Sequence, residues 1–129
     1  MTSFTASGTF EVQLSPSPGE VGGSVGRFDL TKTWHGDLQG SGSGLMLSAG
    51  NPAAGDAGYV AIETFIGTLH EREGSFAFAQ FGLMEGGQST LTYRVVPGSG
   101  IGELSGIRGV LDLVIEEGEH RYTLTYDLD

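Results

Sequence analysis

No window of this 129-residue chain sustains a helical repeat. Apolar and polar residues alternate instead, in runs broken by glycine. A period of two is the mark of strands with one dry face. In the first run Phe4, Ala6, Gly8, Phe10, Val12 and Leu14 share one side, and Thr5, Ser7, Thr9, Glu11 and Gln13 share the other. The chain holds 23 glycines, well above the usual share of about 7%. They keep no collagen period. They read as turns, bulges and bends of a strongly curved sheet.

The alternation predicts eight strands. They span Phe4–Leu14, Arg27–Gly40 with bends at Gly36 and Gly40, Gly42–Ser48, Gly58–Gly67, Ser75–Met84, Ser89–Val96, Glu103–Glu116 with bends at Gly106 and Gly109, and His120–Leu128. Loops fall at Ser15–Ser24, Ala49–Asp56 and Pro97–Gly100, and tight turns at His70–Gly74, Glu85–Gln88 and Glu117–Glu119. The run Ser75–Met84 is apolar on both faces, which predicts a central strand. The expected fold is all-β: a single closed antiparallel β-barrel of about eight strands, with no substantial helix and one domain over residues 1–129. An open sandwich is the alternative.

Composition narrows the function. There is no cysteine, which excludes thiolate metal sites and cysteine nucleophiles. Acidic residues outnumber basic ones 16 to 6, for a formal charge of −10. Nucleic acid and anionic membrane are therefore not expected partners, because phosphate binding needs clustered Lys and Arg. The start Met1-Thr2-Ser3-Phe4 lacks the basic and apolar regions of a leader, and no apolar run reaches the ~20 residues of a membrane span. A cytoplasmic location is expected. Gly22-Gly23-Ser24-Val25-Gly26 matches G-x-S-x-G in letters, but no strand precedes it and no helix follows. Gly98–Gly102 likewise lacks the helix of a dinucleotide loop. Three scattered histidines give no ligand spacing. Neither a metal nor another cofactor is expected.

The strongest clue is Gly58-Tyr59-Val60-Ala61-Ile62-Glu63-Thr64-Phe65-Ile66-Gly67. It reads as a strand that cannot sit on the surface. Tyr59, Ala61, Glu63 and Phe65 point one way, and Val60, Ile62, Thr64 and Ile66 the other. Glu63 is a carboxylate in a dry strand, where an isolated charge costs several kcal/mol. It is either a lumen acid, base or ligand anchor, or a structural carboxylate paired with Arg94 or bonded to Tyr or Ser hydroxyls. His35 and Asp37 sit two apart, hence on one strand face, and His35 is the natural proton carrier near neutral pH; an exposed polar face is the plainer reading. His120, Tyr122 and Tyr126 share a face of the last strand and would line a pocket or edge the core. Tyr59, Gln80 and Tyr93 complete the candidate ligand contacts. Trp34 and Phe28 read as core.

Several stretches carry a family resemblance: Phe4-Thr5-Ala6, Gly36-Asp37-Leu38, Leu47-Ser48-Ala49-Gly50, Val95-Val96-Pro97-Gly98-Ser99-Gly100, Gly102-Glu103-Leu104-Ser105-Gly106 and, most specific, Gly58-Tyr59-Val60-Ala61-Ile62-Glu63. With these the chain resembles the bacterial domain-of-unknown-function family 3224. The resemblance implies a closed barrel similar to allene oxide cyclase, a fold that also hosts cyclases acting on hydrophobic substrates in the lumen. It implies, by fold analogy, a homo-oligomer. Relatives carry a histidine after the glutamine of the fifth strand. Here Gln80 is followed by Phe81, so any role of that histidine is absent or moved. No catalytic residue is established for the family. The expectation is a small hydrophobic molecule bound in the lumen, with Glu63 or His35 moving a proton if the protein is an isomerase or cyclase. The competing expectation is a barrel filled by its own side chains, with a structural or interaction role on its surface.

Overall fold

The computed structural model describes residues 3–16 and 25–128, nearly all of them in strands. In chain order these are β1 (Ser3–Pro16), β2 (Gly26–Gly36), β3 (Leu38–Asn51), β4 (Asp56–Leu69), β5 (Arg72–Glu85), β6 (Gln88–Val95), β7 (Ile101–Gly102), β8 (Arg108–Glu116) and β9 (Glu119–Asp127). A short 3-10 turn, Pro52–Ala54, joins β3 to β4. Every pairing is antiparallel. β1 to β6 pair in succession, β6 meets β8, β8 meets β9, and β9 returns to β1 with Ser3 opposite Asp127. Eight strands thus close into a barrel, and β7 adds a ninth beside one end of β5. Closure removes the sheet edges that an open sandwich would leave. None of the described helices is long and apolar enough to cross a membrane.

Several boundaries differ from the alternation. Arg27–Gly40 is two strands, not one bent strand, because the chain reverses at Gly36 (φ +102°) and Asp37. β3 therefore starts at Leu38 and is 14 residues long. Residues 103–106 are a turn rather than strand, and the strand starts only at Arg108. The turn drops Leu104, with Ile107 after it, into one end of the barrel, where both are fully buried. Three-residue spacing around a turn and two-residue spacing along a strand look alike over so short a stretch. Residues 17–24 of the first loop, and with them most of the G-x-S-x-G match, lie outside the described residues.

The lumen is packed over much of its length. Trp34 is its hub, with ring centroids 4.7 Å from Phe10, 5.1 Å from Tyr122 and 5.5 Å from Phe78. Leu38, Leu69, Phe76, Leu104 and Ile107 are buried at the end that β7 flanks. There a row of glycines crosses the wall. Gly40, Gly67, Gly74 and Gly102 lie opposite one another on β3, β4, β5 and β7.

The outer side of β3, β4 and β5 departs from expectation. Val60, Ile62 and Ile66 are 47%, 56% and 62% exposed, although their strand reads as too apolar for the surface. Phe81 and Leu83 on β5 are likewise exposed. A one-layer barrel covers only the inward face of a strand, so a second apolar face stays open in this chain.

Candidate functional site

Two charged residues occupy the dry face of the barrel. Lys32 follows Leu30 and precedes Trp34 on the inward side of β2, and Glu63 stands between Ala61 and Phe65 on β4. Each would be costly alone, and they meet. Lys32 Nζ lies 2.9 Å from Glu63 Oε2 and donates to Glu63 Oε1 at 3.0 Å. Glu63 is 1% exposed and Lys32 6%. The partner of Glu63 is thus Lys32. Arg94 faces outward from β6 and takes no part.

Three further side chains complete the cluster. Lys32 donates to the Tyr93 hydroxyl at 2.7 Å, and the Tyr93 O–H in turn donates to Glu63 Oε1. Gln80 Nε2 donates to the same oxygen at 3.0 Å. Tyr59 donates to Gln80 Oε1 at 2.8 Å. The Lys32 ammonium also lies 4.4 Å from the Phe10 ring centroid, a favourable cation–π contact. Burial pulls the Lys32 pKa below its ordinary value, against the opposing pull of Glu63. Burial, helped by the Glu63 charge, pushes the Tyr93 and Tyr59 phenols upward.

Above this cluster the described residues leave the barrel open. A cavity of about 600 Å³ is lined by Phe28, Met46, Tyr59, Met84, Leu91, Leu113 and Ile115, among others, with Ser48 and Ser89 as polar contacts. The wall beside it is thin: among the described residues β6 and β8 pair only where Arg94 faces Val110. Beyond that point Ser89, Thr90 and Leu91 on one side and Leu113 and Ile115 on the other line the opening. Tyr59 belongs to both features. Its ring lines the mouth and its hydroxyl reaches the buried cluster through Gln80. The ring fits because Gly82 stands opposite it; a Cβ there would fall 2.4 Å from Tyr59 Cε1.

The other candidate residues fall elsewhere. His35 points outward from β2 and its Nε2 lies 2.6 Å from Glu11 Oε1; it does not meet Glu63. Asp37 is not on a strand face with His35, since the hairpin turn separates them. Its carboxylate accepts the Ser7 N–H at 2.9 Å and lies 3.4 Å from His70 Nε2. The other nitrogen of His70 contacts the Tyr126 hydroxyl at 2.5 Å, at the end opposite the mouth. Tyr122 is a brace: its hydroxyl takes the Leu38 N–H at 2.9 Å and donates to the His35 carbonyl at 2.9 Å, which clasps the hairpin. Burial pushes that phenol up to about 12. His120 stacks on Phe10 at 5.1 Å, and burial pulls its pKa down, with Lys32 adding to the effect. Sequence reasoning missed Lys32. The available signal was a charge on the same face as Leu30 and Trp34.

A family model described as "Protein of unknown function (DUF3224)" matches residues 6–126. A crystal structure of a protein of unknown function from the same family, from Shewanella oneidensis MR-1, is 40% identical. The match covers 99% of this chain and 98% of that one, with a TM-score of 0.92. No curated protein matches the chain.

Proposed function

The chain belongs to the DUF3224 family, and we propose that it binds a small, largely apolar molecule in the open mouth of its barrel. The observation that carries this reading is the cavity of about 600 Å³ with aliphatic, Met and aromatic walls. Its size and lining match those of small-molecule sites, with Tyr59 as an inner polar contact. Binding is favoured over acid–base turnover by the position of Glu63. That carboxylate is already engaged by Lys32, Tyr93 and Gln80, and an amide stands between it and Tyr59. An isomerase or cyclase working in this mouth would present Tyr59 to its substrate, not Glu63 or His35.

The test is titration with Nile red, an apolar dye whose emission rises in dry surroundings. A saturable increase is expected. Met46→Trp, which fills the mouth, should weaken binding at least tenfold and leave the far-UV circular dichroism unchanged. No saturable binding, or equal binding by Met46→Trp, would remove the reading.

The outer face supports a second role, self-association. Leu47, Val60 and Phe81 stand side by side across β3, β4 and β5, and Leu45 faces Ile62. The outward residues from Ser41 to Leu47, Gly58 to Ile66 and Ser75 to Leu83 include no charge, in a chain of net charge −10. Two copies meeting there would bury apolar surface without opposing their carboxylates. Sedimentation velocity should show a dimer or larger species at micromolar concentration, and Phe81→Glu should return it to monomer. A monomeric native protein would rule this out.

A further inference from the structure

We infer that the mouth selects ligands carrying a hydrogen-bond donor, a hydroxyl or N–H, at the end that meets Tyr59. This rests on the mouth being a ligand site and adds the chemical class of the ligand. The inference follows from the direction of the hydrogen bonds beneath the mouth. A carboxylate accepts and cannot donate, and an ammonium donates and cannot accept. Tyr93 takes a hydrogen bond from Lys32, so its own hydrogen goes to Glu63. Gln80 faces Glu63 Oε1 with its amide nitrogen, because its oxygen there would oppose another acceptor. The amide oxygen is thereby turned to Tyr59, and it can only accept. The hydrogen of Tyr59 is therefore spent inward. Reversing any one link would set two acceptors or two donors against each other.

Tyr59 is left with acceptor capacity alone, and no described residue donates to its hydroxyl. A ligand alcohol, phenol or amide N–H would complete it. A ketone, ester or ether of the same shape would place a second acceptor against the first. The carboxylate of Glu63 thus sets, through the Gln80 amide, the polarity of the Tyr59 hydroxyl at the base of the mouth.

Matched competitors test this. 2-Undecanol and 2-undecanone share one carbon skeleton and differ only in the oxygen. In displacement of Nile red from the native protein, the alcohol should compete about tenfold more strongly, the value of one hydrogen bond. Whatever its own affinity for the dye, Tyr59→Phe should bring the two competitors to near equality. Gln80→Leu should go further. It frees the Tyr59 hydrogen to point into the mouth, so the ketone should gain on the alcohol relative to native protein. A purely structural role for Gln80 would weaken both alike. Equal competition in the native protein, or a preference unchanged in both variants, would overturn the inference while leaving apolar binding intact. Failure of Nile red to bind the native protein would overturn both.

Discussion

Glu63→Gln should lower unfolding free energy by about 3–5 kcal/mol, the usual cost of removing one partner from a buried ion pair. Urea denaturation would measure it. Glutamine keeps the shape and one acceptor oxygen, but it removes the charge and turns an amide N–H₂ toward the Lys32 ammonium that Oε2 now faces at 2.9 Å. The Lys32 ammonium would be left among the rings of Phe10, Trp34 and Tyr93, at 4.4, 5.5 and 5.0 Å from their centroids. Those contacts are weaker than a carboxylate at 2.9 Å. The pair should also show itself in a double-mutant cycle. Lys32→Met and Glu63→Gln together should cost about 2–3 kcal/mol less than the sum of the single changes, since the second removes an orphan left by the first. The triple change Lys32→Met, Glu63→Leu, Tyr93→Phe should return to within about 1 kcal/mol of native stability, as apolar replacement of buried ion clusters often does. A Glu63→Gln cost under about 1 kcal/mol would mean that water reaches the cluster.

The same variant has a pH signature. Burial already holds the folded pKa of Lys32 below its ordinary 10.5, and Glu63 opposes that fall. Without the Glu63 charge the folded value drops further. Between it and 10.5 the unfolded chain binds more protons than the folded one, so stability rises with pH across that window. The rise should therefore begin at lower pH in Glu63→Gln than in the native protein. Unchanged slopes would mean that Lys32 is not held by the pair.

How much of this was legible before the structure depends on the residue. Alternation placed Phe10, Trp34, Phe65 and Tyr122 on shared faces, because a strand has only two sides. It also singled out Glu63, since a charge on a dry face is anomalous wherever it falls. It could not pair Glu63 with Lys32, which lies 31 positions away. Long-range register is set by closure, not by local pattern. Arg94 was the wrong cation because it sits on the opposite side of its strand from Tyr93. The Gly36–Asp37 reversal was readable in principle, as Gly-Asp is a hairpin dipeptide. The longer apolar run made it look like a bend. Nor does alternation separate inside from outside where both faces are apolar, as at Val60 and Phe81. The mouth was illegible, since it depends on where β6 and β8 stop pairing.

Gly67→Ala should be more damaging than its single methyl suggests, costing about 3 kcal/mol or more in the same urea assay, or preventing folding. A Cβ on Gly67 would lie 2.0 Å from the Gln39 carbonyl oxygen and 2.8 Å from Gly40 Cα. Gly40 meets the mirror problem, 2.1 Å from the Ile66 oxygen. Backbone atoms cannot swing aside as a side-chain tip can. Relief would have to come from moving β3 away from β4, which breaks the ladder that closes the barrel. The effect should separate from that of an ordinary turn glycine. Gly86 has a positive φ of +57°, yet an added Cβ there meets nothing within 4 Å. Gly86→Ala should therefore cost only the conformational strain of about 1–2 kcal/mol. Equal losses for the two would mean that backbone conformation, not crowding, fixes glycine at position 67. A larger loss at Gly67 would place a steric constraint of the fold at the end opposite the mouth, where the backbones of β3 and β4 leave no room for a Cβ.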